Sequence, residues 1–74
     1  MFEERDPVVL TEDLPEHGLK AGDVGWVVMV HAEGAGYEVE FVTLAGDTIS
    51  VATVSAKSVR AVGPKEIAHA RLVA

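Results

Sequence analysis

The sequence has 74 residues, 49% of them hydrophobic, which predicts a single folded domain and excludes a disordered chain. It contains no cysteine, so disulfides, thiolate metal sites and thiol nucleophiles are excluded. Twelve acidic and six basic residues give a formal net charge of −6, which disfavours binding to nucleic acids and to anionic membrane surfaces.

The first predicted strand is the β-branched run at residues 7–10. A polar loop follows, in which Leu14 and Leu19 are expected to anchor the chain to the core. The glycines of the step Gly22-Asp23-Val24-Gly25 then precede β-branched residues. A phosphate-binding loop would need a helix there, and a calcium loop would need more acidic ligands nearby. We therefore interpret the step as a turn, at which Gly25 lets a strand begin close to another backbone.

The middle of the sequence predicts two further strands. The second strand covers residues 25–31, and a glycine-rich hairpin turn follows it at residues 33–36. Residues 37–41 read Tyr-Glu-Val-Glu-Phe, and this strict alternation of apolar and acidic residues predicts a half-buried third strand.

The last strands are predicted at residues 48–54 and 59–62, with a single helical turn at residues 55–58 between them. In the fourth strand Ile49 and Val51 share a face, and Val54 would join them only through a bulge near Ala52. Gly63 and a proline after it end the last strand.

Five short strands with a long first loop predict an all-β fold, a small five-stranded SH3-like barrel over residues 1–63. An OB-fold would need longer strands and usually a helix. Residues 64–74 are a separate tail that could form about two helical turns, which would be marginal alone.

A family resemblance is carried by Asp6-x-Val8-x-Leu10, by the segment from Asp13 to Val28, by residues 37–41 and by Gly46-x-Thr48. Over about residues 2–62 the sequence resembles domain-of-unknown-function family 4926 (DUF4926), small stand-alone bacterial proteins. The resemblance implies no established activity. More loosely, the sequence is similar to the barrel of the nitrile hydratase β subunit and to KOW-type ribosomal modules. Both share the Gly-x-x-Gly-x-Val corner with this sequence, and the resemblance implies an SH3-like fold.

The N-terminal stretch MFEERDPVVL carries acidic side chains where a secretory signal would need a basic region followed by an apolar run. The longest apolar run, residues 26–30, is far shorter than the ~20 residues that span a bilayer. We therefore expect a cytoplasmic protein with no membrane segment.

Candidate residues for catalysis or metal binding are few. The acidic loop at residues 12–17 includes His17, but zinc sites usually need three or four ligands, mostly His or Cys. His31 and His69 lie in other segments without ligand spacing, and no serine or threonine has the context of a nucleophile elbow. A chain this small also offers little concavity for a substrate. We expect no catalytic, cofactor-binding or metal site.

Trp26 and Met29 are candidates for an interface, because their strand carries more apolar side chains than one buried face needs. If Val28 and Val30 point inward, Val27 and Met29 point outward. The long loop or the tail could cover the excess apolar side chains of this strand. Alternatively, these side chains could form a protein contact, where Trp and Met are enriched. The tail residues that could cover this patch, in the same chain or in a neighbour, are Ile67, Ala70, Arg71 and Leu72.

Glu38 and Glu40 place two acidic side chains on one face of the third strand. They either form a solvated face that discourages edge pairing or dock a basic partner. Asp13 and Glu16 in the acidic loop complete the predicted interaction residues.

These residues predict a non-catalytic interaction module that acts through a protein partner, for which a basic protein is suited by charge, or through self-association as a homo-oligomer. The bacterial character of the family suggests an immunity or antitoxin-like setting. Two alternatives stay open: a KOW-like nucleic-acid-binding module with Lys20 and Arg60 as contacts, and an accessory subunit packed on an enzyme around Trp26.

Overall fold

The computed structural model describes residues 1–73. It contains five strands, β1 (Pro7–Leu10), β2 (Val24–His31), β3 (Gly36–Val42), β4 (Thr48–Ser55) and β5 (Val59–Ala61). Single 3-10 turns lie at Pro15–His17, Ala32–Gly34 and Ala56–Ser58. The predicted all-β class is confirmed, as is the helical turn before the last strand. Every predicted strand agrees with the structure to within one residue at each end.

The strands form one antiparallel sheet in the order β4-β3-β2-β1-β5. Four strands follow each other as a meander, and β5 returns to pair with β1 on its other side. This is the strand order expected of an SH3-like fold. The sheet is not closed, because β4 and β5 remain its two edges and are not hydrogen-bonded to each other.

The core lies on the inner face of the sheet, where β3 contributes every second side chain as its alternating sequence predicts. The long loop between β1 and β2 adds buried Leu19, which pairs with Leu14 through backbone hydrogen bonds of 2.9 and 3.1 Å. The predicted anchoring of this loop is therefore confirmed. The buried core comprises Val8, Leu10, Leu19, Val27, Tyr37, Val39, Phe41, Ala52, Val54 and Val59.

The corner before β2 is a turn, as predicted: Gly22 has a φ of +93° and donates its N–H to the Leu10 carbonyl over 2.8 Å. Gly25 pairs with Val8 of β1, so the strand begins beside another backbone as predicted, and core side chains fill the space where a Cβ would lie. A Cβ at Gly25 would lie 2.5 Å from Val39 Cγ1 and 2.8 Å from Phe41 Cε1. The core itself therefore requires glycine here.

Strand β2 contains a β-bulge at Val28. Val27 pairs with Val39 and Met29 pairs with Glu38, so Val28 has no register partner of its own. Val27 is buried in the core while Val28 and Met29 are exposed. The alternative in which Val28 points inward and Val27 outward is therefore not the one that the structure adopts, because one inserted residue resets the alternation of a strand.

In strand β4, Val54 does not join the face of Val51, because the bulge that this would need near Ala52 is not present. Ala52 and Val54 are buried, whereas Ile49 and Val51 are exposed. Phe41 pairs with Ser50 and Val42 pairs with Thr48, which leaves Ile49 without a register partner. The register irregularity therefore lies at Ile49 and not near Ala52. Because the pairing is regular from residue 50 onward, alternation carries Val54 to the core.

The tail, residues 64–73, has a turn at its start and no helix or strand after it. The predicted helical turns are therefore wrong for residues 65–73, and residue 74 lies outside the described part of the chain. Ion pairs from Glu66 to β5 and from Arg71 to the turn before β2 hold the segment along the domain. Such contacts outweigh the weak helical tendency of a segment this short. Across residues 1–73, no helix has the length and apolar character needed to cross a membrane.

Candidate interaction surface

The register between β2 and β3 places two exposed apolar side chains beside two acidic ones. Trp26 lies opposite Glu40, and Met29 lies opposite Glu38. Trp26 is 45% exposed and Met29 is 47% exposed. Side chains directly opposite on one face of antiparallel strands are neighbours. The structure thus brings together four of the six residues predicted for interaction.

Strand β4 extends this surface by one more row. Val51 lies opposite Glu40 on the side away from Trp26, and it is 48% exposed. Thr53 lies opposite Glu38 in the same row. We call the surface formed by Trp26, Met29, Glu38, Glu40 and Val51 the outer face.

Both acidic side chains of the outer face are held in place by neighbours. Glu38 Oε2 lies 2.8 Å from His31 Nε2, and Glu40 Oε2 accepts a 2.7 Å hydrogen bond from the Thr48 hydroxyl. Within residues 1–73, the second oxygen of each carboxylate has no hydrogen-bond partner. The outer face therefore presents ordered acceptors next to apolar surface.

The other two predicted residues lie elsewhere, on the loop between β1 and β2. Asp13 Oδ1 accepts the N–H of Ala21 over 2.9 Å, so this carboxylate organises the loop itself. Glu16 lies on the exposed 3-10 turn of the same loop. Next to it, His17 Nδ1 lies 3.1 Å from the Ser50 hydroxyl of β4. The structure does not place this loop in the outer face.

The part of the chain that the structure describes contains no group of three or more His, Asp or Glu side chains arranged to hold a metal ion. The histidines are engaged one at a time, His17 with a serine and His31 with Glu38.

Comparison with known proteins assigns the chain to a family. The model for a domain of unknown function, DUF4926, matches residues 4–61. The chain belongs to this family. The resemblance noted in the sequence is thereby confirmed, and the DUF4926 domain includes all five strands and the whole outer face. No curated protein and no solved structure matches the chain.

Outside the DUF4926 domain, the tail is tied back to it by an ion pair that the sequence did not reveal. Arg71 Nε lies 2.8 Å from Asp23 Oδ1, and Arg71 Nη2 lies 2.5 Å from Asp23 Oδ2. These hydrogen bonds hold the pKa of the Asp23 carboxyl below its usual value, and partial burial opposes the shift. Asp23 was interpreted only as a turn residue, and the 48 positions between the partners leave no local signal.

A second ion pair holds the start of the tail. Arg60 on β5 donates from Nη1 and Nη2 to the two carboxylate oxygens of Glu66, over 2.7 and 2.8 Å. Glu66 also accepts the N–H of Gly63 over 2.6 Å. The Arg60 guanidinium, with help from that N–H, lowers the pKa of Glu66 to about 2. The spacing of these residues near the end of the domain is a local signal that sequence reasoning could have used.

Proposed function

We propose that the protein is a non-catalytic interaction module of bacteria that binds a basic protein partner through the outer face. The observation that carries the proposal is the register that sets Trp26 and Met29 against Glu40 and Glu38. Exposed Trp and Met supply apolar contact area, and the neighbouring carboxylates supply charge complementarity to Lys and Arg. A large aromatic face beside an acid also suits a guanidinium stacked on the ring.

Charge favours a different protein over a second copy as the partner. Two copies meeting through the outer face would bring four carboxylates together in a chain whose net charge is already −6. Like charges facing each other across an interface cost several kcal/mol. We place the module in the cytoplasm, in a setting such as that of an immunity or antitoxin-like protein, where small acidic domains neutralise basic proteins.

The nucleic-acid alternative receives less support from the basic residues. Arg60 is paired with Glu66 through both terminal nitrogens, and Arg71 is paired with Asp23. Guanidinium groups already neutralised by carboxylates contribute less to phosphate binding.

The test is purification of the tagged protein with its partners from the cells that produce it, comparing wild type with the double variant Glu38→Lys/Glu40→Lys. The matched control is Glu4→Lys/Glu33→Lys, which changes the net charge equally at exposed positions outside the outer face. Partners are measured by quantitative mass spectrometry, and folding of each variant is checked by thermal unfolding.

We expect a stoichiometric basic partner with wild type and with the control, and at least about tenfold less of it with the outer-face variant. Equal recovery with both double variants would remove the outer face from the proposal. A homo-oligomer dissociated by Trp26→Ala, with no other protein present, would replace the basic partner by self-association.

A further inference from the structure

The corner before β2 binds a guanidinium group. Asp23 accepts two hydrogen bonds from Arg71, and Arg71 Nη2 also donates to the Gly18 carbonyl over 3.2 Å. Three acceptor atoms therefore converge on one arginine. Such forked contacts select arginine over lysine, because only the planar guanidinium presents two parallel N–H groups.

The DUF4926 domain positions this carboxylate without help from the tail. Lys20 N–H donates to Asp23 Oδ2 over 2.8 Å, and the Asp23 carbonyl accepts the N–H of Leu10 over 2.9 Å. Both contacts lie within the segment that the family model matches, whereas Arg71 lies outside it. The acceptor site is thus part of the family domain, whereas its occupant in this chain lies outside the matched residues.

Charge, and not apolar packing, holds this occupant. Ile67 is 92% exposed and Leu72 is 94% exposed, so the two largest apolar side chains of the tail do not pack on the sheet. Ile67 and Leu72 therefore do not cover the apolar excess of β2 within the same chain, which was one of the two alternatives that the sequence left open. A partly exposed ion pair is a weak attachment. Another arginine in the same position could therefore take the place of Arg71.

Open grooves run on both sides of the ion pair. One, of about 550 Å³, is lined on the sheet side by Val9, Val24 and Trp26. The other, of about 330 Å³, is lined by Leu19, Phe41 and Ile49 of the domain and by the tail around Arg71. Asp23 and Arg71 border both grooves. An extended segment with its arginine on Asp23 would have apolar surface for the side chains before and after it.

We propose that Asp23 and the Gly18 carbonyl form a receptor for an arginine side chain in an extended segment of the partner, and that the tail occupies this receptor through Arg71 until the partner displaces it. The inference rests on the proposed function for the existence of a basic partner. Its test uses the sequence of the tail as the probe, so a negative result counts against the receptor and leaves the outer face unaffected.

The experiment is a fluorescence-anisotropy titration of a labelled peptide with the sequence of residues 63–73 against the full-length chain. In wild type the attached tail competes with the peptide at a high effective concentration. In Arg71→Ala the receptor is open, and we expect the peptide to bind about two- to fivefold more tightly than to wild type, which is the gain that a weak attachment allows. Lys65→Ala removes a tail cation that makes no hydrogen bond or ion pair within residues 1–73, and it should behave like wild type.

Two further measurements assign the binding to the receptor. A peptide carrying Arg71→Lys should bind the Arg71→Ala chain more weakly than the unchanged peptide, because lysine lacks the fork. Adding Asp23→Asn to the Arg71→Ala chain should abolish binding. The comparison of the arginine and lysine peptides uses the same protein for both. It therefore tests selectivity for arginine even where Asp23→Asn unfolds the corner.

Equal affinity of the peptide for wild type and Arg71→Ala would show that the ion pair is only structural and would overturn the proposal. Equal affinity of the arginine and lysine peptides would overturn it too. A concentration-dependent dimer of wild type that Arg71→Ala abolishes would mean that two copies exchange tails, and the receptor would then serve a second copy and not a partner.

Discussion

The backbone N–H of Phe2 donates a 3.1 Å hydrogen bond to the phenol oxygen of Tyr37, a residue 35 positions later in the chain. The rings of the two residues also pack edge to face, with centroids 5.4 Å apart. Tyr37 is buried near the start of β3, so its hydroxyl is the polar end of a core side chain. This contact and the 2.7 Å hydrogen bond from the Arg5 N–H to the Val27 carbonyl tie the N-terminal residues to the sheet.

Replacing Tyr37 by phenylalanine tests the contribution of the hydrogen bond between the Phe2 N–H and the Tyr37 hydroxyl. The Tyr37→Phe variant keeps the ring in the core but leaves the Phe2 N–H without its acceptor. We expect a loss of about 1 kcal/mol in the free energy of unfolding, measured by urea denaturation. Hydrogen exchange at the Phe2 amide should become faster. Unchanged stability together with unchanged exchange would mean that the hydrogen bond contributes nothing in solution.

A methyl group at Gly25 should damage the core. Gly25→Ala places its Cβ within 2.5 Å of Val39 Cγ1 and close to the Phe41 ring, in a region with no free space. Overpacking of this kind costs about 1–3 kcal/mol, which urea denaturation would measure. Gly22→Ala is the comparison, because its Cβ would meet no atom within 4 Å and only the positive φ is penalised. A larger loss for Gly22→Ala than for Gly25→Ala would contradict the packing argument.

Two valines of β4 provide a matched pair for the orientation of this strand. Val54→Ala removes buried methyl groups next to Tyr37 and should cost about 2 kcal/mol in the free energy of unfolding. Val51→Ala acts on the outer face and should change stability by less than about 1 kcal/mol. The reverse order of the two losses would mean that β4 presents its other face to the core.

The pairing of Glu66 with Arg60 should be visible in an acid titration. The pKa of Glu66 lies at about 2 in the folded chain, against 4.5 for the free side chain. Because the folded value is the lower one, the contribution of this contact is complete above pH 4.5 and is lost as the pH falls towards 2.

The carboxyl carbon chemical shift of Glu66, followed by NMR, should therefore titrate near pH 2 in wild type. In Arg60→Ala its midpoint should rise towards 4.5, and not fully, since the Gly63 N–H still donates to the carboxylate. A wild-type midpoint near 4.5 would mean that the start of the tail is not paired in solution.

The buried face of a strand was predictable where apolar and polar residues alternate without a break. In β3, glutamates alternate with Tyr37, Val39 and Phe41, so only one orientation buries apolar surface. In β2, Val27 and Val28 are the same residue type, and neither hydropathy nor volume tells which one enters the core. The bulge at Val28 follows from filling the core, which is a property of the assembled sheet.

The residues of the candidate surface were predictable from the sequence, but their arrangement was not. Trp26, Met29 and the two glutamates stood out as exposed apolar and acidic residues, but their adjacency depends on the strand register. The contact of Arg71 with Asp23 was not predictable, because it joins segments 48 positions apart that meet only after the sheet has formed. A local preference for helical turns in the tail carried no information about that long-range contact.

The free edge of β4 has a consequence for handling the protein in solution. Its eight residues, Thr48–Ser55, include no charged side chain and no proline, the devices by which edge strands usually block further pairing. At neutral pH the net charge of −6 keeps copies apart. Near the isoelectric point of about 4.8 that repulsion vanishes, and this edge becomes a template for fibrillar stacking. Mildly acidic buffers are therefore where colloidal stability is lowest.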